Sequence, residues 1–171
     1  MDQRLRVQPV SWTPAREAEF ESLLLLYYTG VRRVARDLLR QVVGRYLARE
    51  TACVQVLHSI KTLAIEMAYA MQEGDWDHLG ALLDRHWELN QVLDPNTTNA
   101  PLNALLADVR PFIRGTKLAG AGGGGFLILL ARSQAARQEL QACLRERNSG
   151  TGAAVYASRI ATEGLRVTRR R

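Results

Sequence analysis

Lys117-Leu118-Ala119-Gly120-Ala121-Gly122-Gly123-Gly124-Gly125, running directly into Phe126-Leu127-Ile128-Leu129-Leu130-Ala131, is the stretch from which the fold is read. Five glycines among six residues build neither helix nor strand, because glycine loses the most backbone entropy on ordering and brings no side chain to pack. Such a run holds an unusual backbone path. Its use is close approach by an anion or a neighbouring loop, met by backbone N–H groups, with phosphate or a phosphate loop the expected partner. Gly120, Gly122 and Gly125 spell G-x-G-x-x-G, but the dinucleotide fingerprint requires a helix behind the glycines, and Phe126 to Leu130 reads as a buried strand. A P-loop requires Lys and then Ser or Thr after its last glycine, whereas Lys117 precedes the cluster. What remains is a strand, an open glycine loop and a second strand. A flexible linker would be flanked by polar residues, not by a core strand.

Upstream, Leu5-Arg6-Val7-Gln8-Pro9-Val10-Ser11-Trp12 alternates and carries Pro9, the pattern of an edge strand. Residues 13–21 are polar and acidic. Leu23 to Tyr28 is an unalternating apolar run, as in a strand covered on both faces, and Gly30 ends it. Helical spacing follows. Val34, Leu38, Leu39, Val42, Val43 and Tyr46 form one stripe, with Arg32, Arg33, Arg36, Arg40 and Arg45 mostly outside it. A second helix spans about Cys53 to Gln72, capped by Thr51, with Leu57, Ile60, Ala64, Met67 and Met71 as its stripe and Gly74 as its stop. Asp75 caps a third, with Leu79, Leu82, Leu83, His86 and Leu89 on its apolar face. Asp94-Pro95 breaks it, Asn99 and Pro101 open a fourth, and Pro111 stops that one just before the hairpin. Beyond the hairpin, Ser133 caps a helix ending near Arg147, Ala153 to Ile160 is a strand candidate, and Leu165 to Val167 is a short extended piece. Strands on both sides of a helical block, joined by short loops, predict an α+β layer sandwich.

The length suits one domain, residues 1–171, with a basic tail at 168–171. Twenty-three Lys and Arg against 17 Asp and Glu give a formal charge of +6, a weak pointer to anionic ligands. The arginines are not interleaved with aromatics, so solvated surface explains them better than a nucleic-acid site. Cys53 and Cys143 are far apart and fit a reducing compartment. With no signal peptide and no apolar run long enough to span a membrane, the expected location is the cytoplasm.

Gly115-Thr116-Lys117-Leu118-Ala119-Gly120-Ala121-Gly122-Gly123-Gly124-Gly125-Phe126 resembles the third conserved motif of the galactokinase, homoserine kinase, mevalonate kinase and phosphomevalonate kinase (GHMP) superfamily. Three more stretches, Tyr28-Thr29-Gly30-Val31-Arg32-Arg33, His86-Trp87-Glu88-Leu89-Asn90, and Leu93-Asp94-Pro95 with Thr98-Asn99, are similar to the C-terminal region of L-fucose kinases and less closely to heptose 7-phosphate kinases. The resemblance implies a ferredoxin-like antiparallel sheet with a layer of helices, forming one wall of an active-site cleft. It also implies an ATP-dependent phosphotransferase making a sugar 1-phosphate, with L-fucose as the sugar, ATP and Mg²⁺ as cofactors and an N-terminal kinase domain as partner. That domain's glycine–serine ATP loop and catalytic carboxylate have no counterpart in this sequence. No catalytic residue is therefore assigned, and the chain by itself is expected to be inactive, to bind neither cofactor and to hold no metal.

The resemblance implies that Lys117, Gly120, Ala121, Gly122, Gly123, Gly124 and Gly125 support the ATP-phosphate loop. Lys117 would offset negative charge during phosphoryl transfer, the alternative being an exposed strand lysine. Tyr28, Thr29, Gly30 and Arg33, where a helix begins at a strand end, suit an anion or sugar hydroxyl. Trp87 and Asn90 share one helix side, as a pocket wall or a packing anchor. His86, on an apolar face, reads as a packed histidine before a metal or acid–base one. A second reading makes the chain a non-catalytic basic binding module, resting on the missing ATP loop and the arginine face.

Overall fold

The computed structural model describes residues 10–31, 36–120, 122–148, 152–156, 158–161, 164 and 167–169, with the backbone alone described at 36–38. Its centre is a four-stranded antiparallel sheet of β1 (Leu24–Tyr28), β2 (Ile113–Leu118), β3 (Phe126–Ala131) and β4 (Ala154–Tyr156), in the order β2-β3-β1-β4. With a helical block between β1 and β2 and one helix between β3 and β4, this is the ferredoxin-like arrangement the resemblance implies. The described residues form the α-helices α1 (Pro14–Leu23), α2 (Arg36–Leu47), α3 (Thr51–Glu73), α4 (Trp76–Leu93), α5 (Ala100–Val109) and α6 (Gln134–Arg147). Among the described residues no helix is long and apolar enough to cross a membrane.

Strand register sorts the side chains into two faces. Tyr28 pairs with Phe126, Leu26 with Ile128 and Leu24 with Leu130, while Leu25 pairs with Leu129 and Tyr27 with Leu127. The second set, with Leu118, packs against Leu102, Leu105 and Val109 of α5 and Leu140 and Leu144 of α6. On the other face Leu130 joins Leu79, Leu82 and Leu83 of α4, Val56 and Leu63 of α3, and Leu23. That cover stops short of the glycine end. There Tyr28, Phe126 and Tyr156 stand as a row of rings with centroids 5.3 Å apart, and Phe126 and Tyr156 are exposed.

Helix α4 runs along the outer edge of β2, where unpaired strand N–H and C=O groups would otherwise invite a foreign strand. The Thr116 N–H donates to Asp84 Oδ1 at 2.9 Å, and Arg110 pairs with the other Asp84 oxygen at 2.6 Å. Close approach is possible because Gly80 of α4 meets Gly115 of β2 backbone to backbone.

Helix entries follow the expected chemistry. Asp75, Asn99 and Ser133 each accept from the N–H three residues on, at 2.9, 2.9 and 3.0 Å. Gly74 closes α3 in the left-handed conformation. The Asn99→Ala variant should lose about 1 kcal/mol of stability, read as a lower urea midpoint at unchanged slope.

Several expectations need correction. Of the edge strand at Leu5 to Trp12, residues 5–9 lie outside the described residues and Val10–Trp12 are in no strand. Trp12 instead packs its ring on Phe20 and Trp76 and donates its indole N–H to the Met71 carbonyl at 2.7 Å. Residues 14–23 form a helix, entered through Thr13, whose hydroxyl accepts from Arg16 N–H, and Pro14. Thr51 lies inside α3 and makes no cap; Glu50 precedes the helix without a side-chain cap bond. The buried residues of α3 are Cys53, Val56, Leu63 and Ala70, and of the expected stripe Ile60, Met67 and Met71 pack half-buried on the same core, while Leu57 is half-buried outside that cluster and Ala64 is exposed. On α2 the expected apolar stripe is uncovered at Leu39, Val43 and Tyr46, while Arg45 pairs with Glu50 and donates to the Leu93 carbonyl at the end of α4. Arg32, Arg33 and Val34 lie outside the described residues. Of the strand from Ala153 to Ile160 the described residues form Ala154–Tyr156 alone, residue 157 lying outside them; of the extended piece at 165–167 only Val167 is described, exposed and in no strand.

Candidate functional site

The glycine loop is held by two other loops. The Gly123 N–H donates to the Thr97 carbonyl at 2.6 Å and the Gly125 N–H to the Val31 carbonyl at 2.8 Å, while the Gly125 carbonyl accepts from Thr29 N–H at 2.9 Å. The expectation that backbone N–H groups meet an anion is thus answered differently at these two glycines, whose N–H groups bind the chain itself. Two positions require glycine for space as well as conformation. A Cβ on Gly122, at φ +83°, would lie 2.6 Å from Thr97 Cβ, and one on Gly124 would lie 2.8 Å from the Val31 carbonyl oxygen. Thr97 is buried beneath the loop. It belongs to a 3-10 turn, Pro95–Thr97, entered through Asp94, whose carboxylate accepts from Asn96 N–H at 2.9 Å. The motif Asp94-Pro95 with Thr98-Asn99 is therefore the seat of the glycine loop.

These three loops border a cleft of about 330 Å³ lined by Thr29, Val31, Gly123 and Gly124, by Asn99, Pro101, Leu102 and Leu105 at the start of α5, and by Tyr27 and Arg147. The Tyr27 hydroxyl donates to Asn148 Oδ1 at 2.8 Å, and burial pushes its pKa up. Arg147 pairs with Asp108 at 2.9 Å. The structure thus brings Thr29 and the glycines together across 95 residues of sequence, and adds Asn99 and Arg147, which sequence reasoning did not single out as site residues. The Asn99 cap signal marked a helix start without indicating what the start faces.

Lys117 lies on the other face of the sheet, paired in register with Ile128. Its Nζ is 3.5 Å from His86 Nε2, and His86 Nδ1 is 3.3 Å from the Asn90 side-chain amide. Among the described residues no carboxylate pairs with Lys117. Burial lowers its pKa; burial and then the Lys117 charge lower that of His86. Trp87 is in the main core, 6% exposed, so packing is the role its surroundings supply. Tyr28 is half-buried against Phe126 and Gly30 takes φ +80°. Arg33 and Ala121 lie outside the described residues. Among the described residues no cluster of three His, Cys, Asp or Glu side chains is placed to hold a metal ion.

The signs of the two shifts give a prediction. Both groups are penalised when charged in the fold, so stability rises with pH between each lowered pKa and its ordinary value, about 6.5 for His and about 10.4 for Lys. Lys117→Met should abolish the upper rise and move the His86 pKa upward, as followed by NMR of the imidazole protons against His58 and His78.

Residues 67–150 match the family model described as GHMP kinases C terminal. The chain is 35% identical over 143 residues to the bifunctional fucokinase/GDP-fucose pyrophosphorylase of Arabidopsis thaliana, covering 84% of this chain and 14% of that protein. It is 29% identical over 163 residues to the L-fucokinase/L-fucose-1-P guanylyltransferase of Bacteroides fragilis, covering 94% and 17%. The chain therefore spans less than a fifth of the length of these relatives. In fold it resembles the mevalonate kinase of L. major solved with R-mevalonate, at a TM-score of 0.67 and 20% identity over 78% of this chain and 41% of that one. Together, the matched model, the fucokinase relatives and the β2-β3-β1-β4 sheet place the chain among the GHMP kinases, as their C-terminal domain.

Proposed function

We propose that this chain supplies one wall of the phosphoryl-transfer cleft of an ATP-dependent L-fucose kinase, the step that makes fucose 1-phosphate for GDP-fucose salvage. The observation that carries the substrate is its 35% identity to a fucokinase over 84% of its length. The wall itself is the glycine loop, fixed on Thr97 and Val31, and the half-open sheet face beside it with Lys117. A rigid, preset loop lowers barriers by positioning, because little reorganisation is left when the ligand arrives. ATP and Mg²⁺ complete the reaction in the whole kinase, with the metal neutralising triphosphate charge. The donor set described here does not fit a Mg²⁺ site, so the ion would be held by the nucleotide and by groups of a preceding kinase domain.

The test is substrate choice by the chain joined to the ATP-loop domain of its parent protein. L-Fucose, a heptose 7-phosphate and mevalonate are offered with Mg²⁺-ATP, and products are read by phosphorus NMR. An anomeric sugar phosphate formed from fucose at least about tenfold faster than from the others, a discrimination worth about 1.4 kcal/mol, is expected. Preference for the heptose phosphate would replace the substrate while keeping the reaction class.

A further inference from the structure

Lys117 and His86 make an expensive pair. Two groups that each carry positive charge when protonated sit 3.5 Å apart, partly buried, and no carboxylate among the described residues offsets them. A charge withdrawn from water requires a partner. The other ionisable groups on the packed elements are engaged or turned away. Asp84 holds Thr116 N–H and Arg110, Arg85 pairs with Glu88, and Arg114 pairs with Asp77. His58, Lys61, Glu66 and Glu73 of α3 are exposed, and β3 carries no ionisable side chain.

Proton bookkeeping narrows the role. A charged Lys117 needs a lone pair on His86 Nε2, which puts the ring proton on Nδ1 and requires the Asn90 amide to be turned over, so that its oxygen takes the place of the Nδ2 that stands 3.3 Å from Nδ1. Neutral His86 is thus an acceptor held between two neighbours. Once protonated it has donors on both nitrogens, and its Nε2–H and the ammonium then point at a common region and repel unless an anion joins them.

We propose that His86, oriented by Asn90, positions Lys117 and joins it in a two-donor site for a phosphate group, with a proton taken up by His86 as the anion binds. This rests on the reading of Lys117 as a phosphate-facing residue and adds the partner and the proton. Lys117 shares its sheet face with Phe126, whose ring is exposed two residues from Ile128, the strand partner of Lys117.

The probe is inorganic pyrophosphate, added to the 171-residue chain while the imidazole protons of His58, His78 and His86 are followed by NMR across pH, with potassium chloride at equal ionic strength as the control. The expected result is an upward move of the His86 pKa in pyrophosphate alone, with His58 and His78 unmoved. Lys117→Met should abolish it, Lys117→Arg should keep it, and His86→Gln should leave weaker binding whose pH dependence between 5 and 8, the range in which histidine changes charge, is reduced to that of pyrophosphate's own protonation. No His86 response at millimolar pyrophosphate, an equal response of all three histidines, or an undiminished response in a folded Lys117→Met variant would overturn the proposal. None of these readouts uses turnover, so failure of the kinase reading and failure of this site are separable.

Discussion

Residues 1–171 expressed by themselves should transfer no phosphate from Mg²⁺-ATP to L-fucose, at a rate lower by on the order of 10⁴-fold or more than the same residues joined to the ATP-loop domain. Phosphoryl transfer depends on holding the triphosphate, the metal and the acceptor in line, and on the proposed reading the ATP-loop domain supplies most of the groups that hold them. The glycine loop cannot take them over, because its Gly123 and Gly125 N–H groups are bound to Thr97 and Val31. Uncovered apolar surface should accompany the loss. Phe126 and Tyr156 on the sheet, and Leu39, Val43, Tyr46 and Leu47 on α2, are all exposed, a combination that favours self-association. Sedimentation of the isolated chain should show concentration-dependent oligomers, and adding the ATP-loop domain in trans should reduce them while restoring turnover measured by ADP release. Metal-dependent turnover by the chain alone would refute the assignment of the chemistry to another domain.

The hairpin was legible because five glycines followed by an apolar run have few structural solutions, and the helix entries because Asp75, Asn99 and Ser133 advertise themselves locally. What local pattern does not encode is the neighbour. The sequence of α3 supports more than one apolar line, and only the approach of α4 selects Cys53, Val56, Ile60, Leu63, Met67 and Ala70. On α2 the stripe is real in the sequence, yet no described element covers it at Leu39, Val43 and Tyr46. Helix α1 was hidden by its polarity, since its burial is concentrated at Leu23, although Thr13-Pro14 was a readable start. The site divides the same way. Lys117 and the glycines were visible as a motif, but the contacts of Gly123 with Thr97 and of Lys117 with His86 join residues 26 and 31 apart, and no periodicity reports them.

Gly115→Ala should be the most damaging single-methyl change in the fold. A Cβ at Gly115 would lie 1.8 Å from the Gly80 carbonyl oxygen, 2.4 Å from its carbon and 2.7 Å from its Cα. All three are backbone atoms of a helix, so no rotamer change makes room. Strand β2 or helix α4 has to move by more than an ångström, and the move pulls the Thr116 N–H from Asp84 and lifts Leu79, Leu82 and Leu83 from the sheet. The contact is as tight from the helix side, since a Cβ on Gly80 would come within 2.7 Å of the Arg114 carbonyl carbon. Overpacking of this kind costs about 3 kcal/mol or more, a large part of the roughly 5–15 kcal/mol that holds a domain together. Gly44→Ala supplies the opposite case. Gly44 lies inside α2 with nothing within 4 Å of an added Cβ, so the methyl group should stabilise by about 0.5–1 kcal/mol through helix propensity alone. Urea midpoints of the two variants should therefore fall on opposite sides of the parent chain. A Gly115→Ala protein as stable as the parent would mean that α4 does not lie against β2 at backbone contact, and with it would go the edge cover that presents His86 to Lys117.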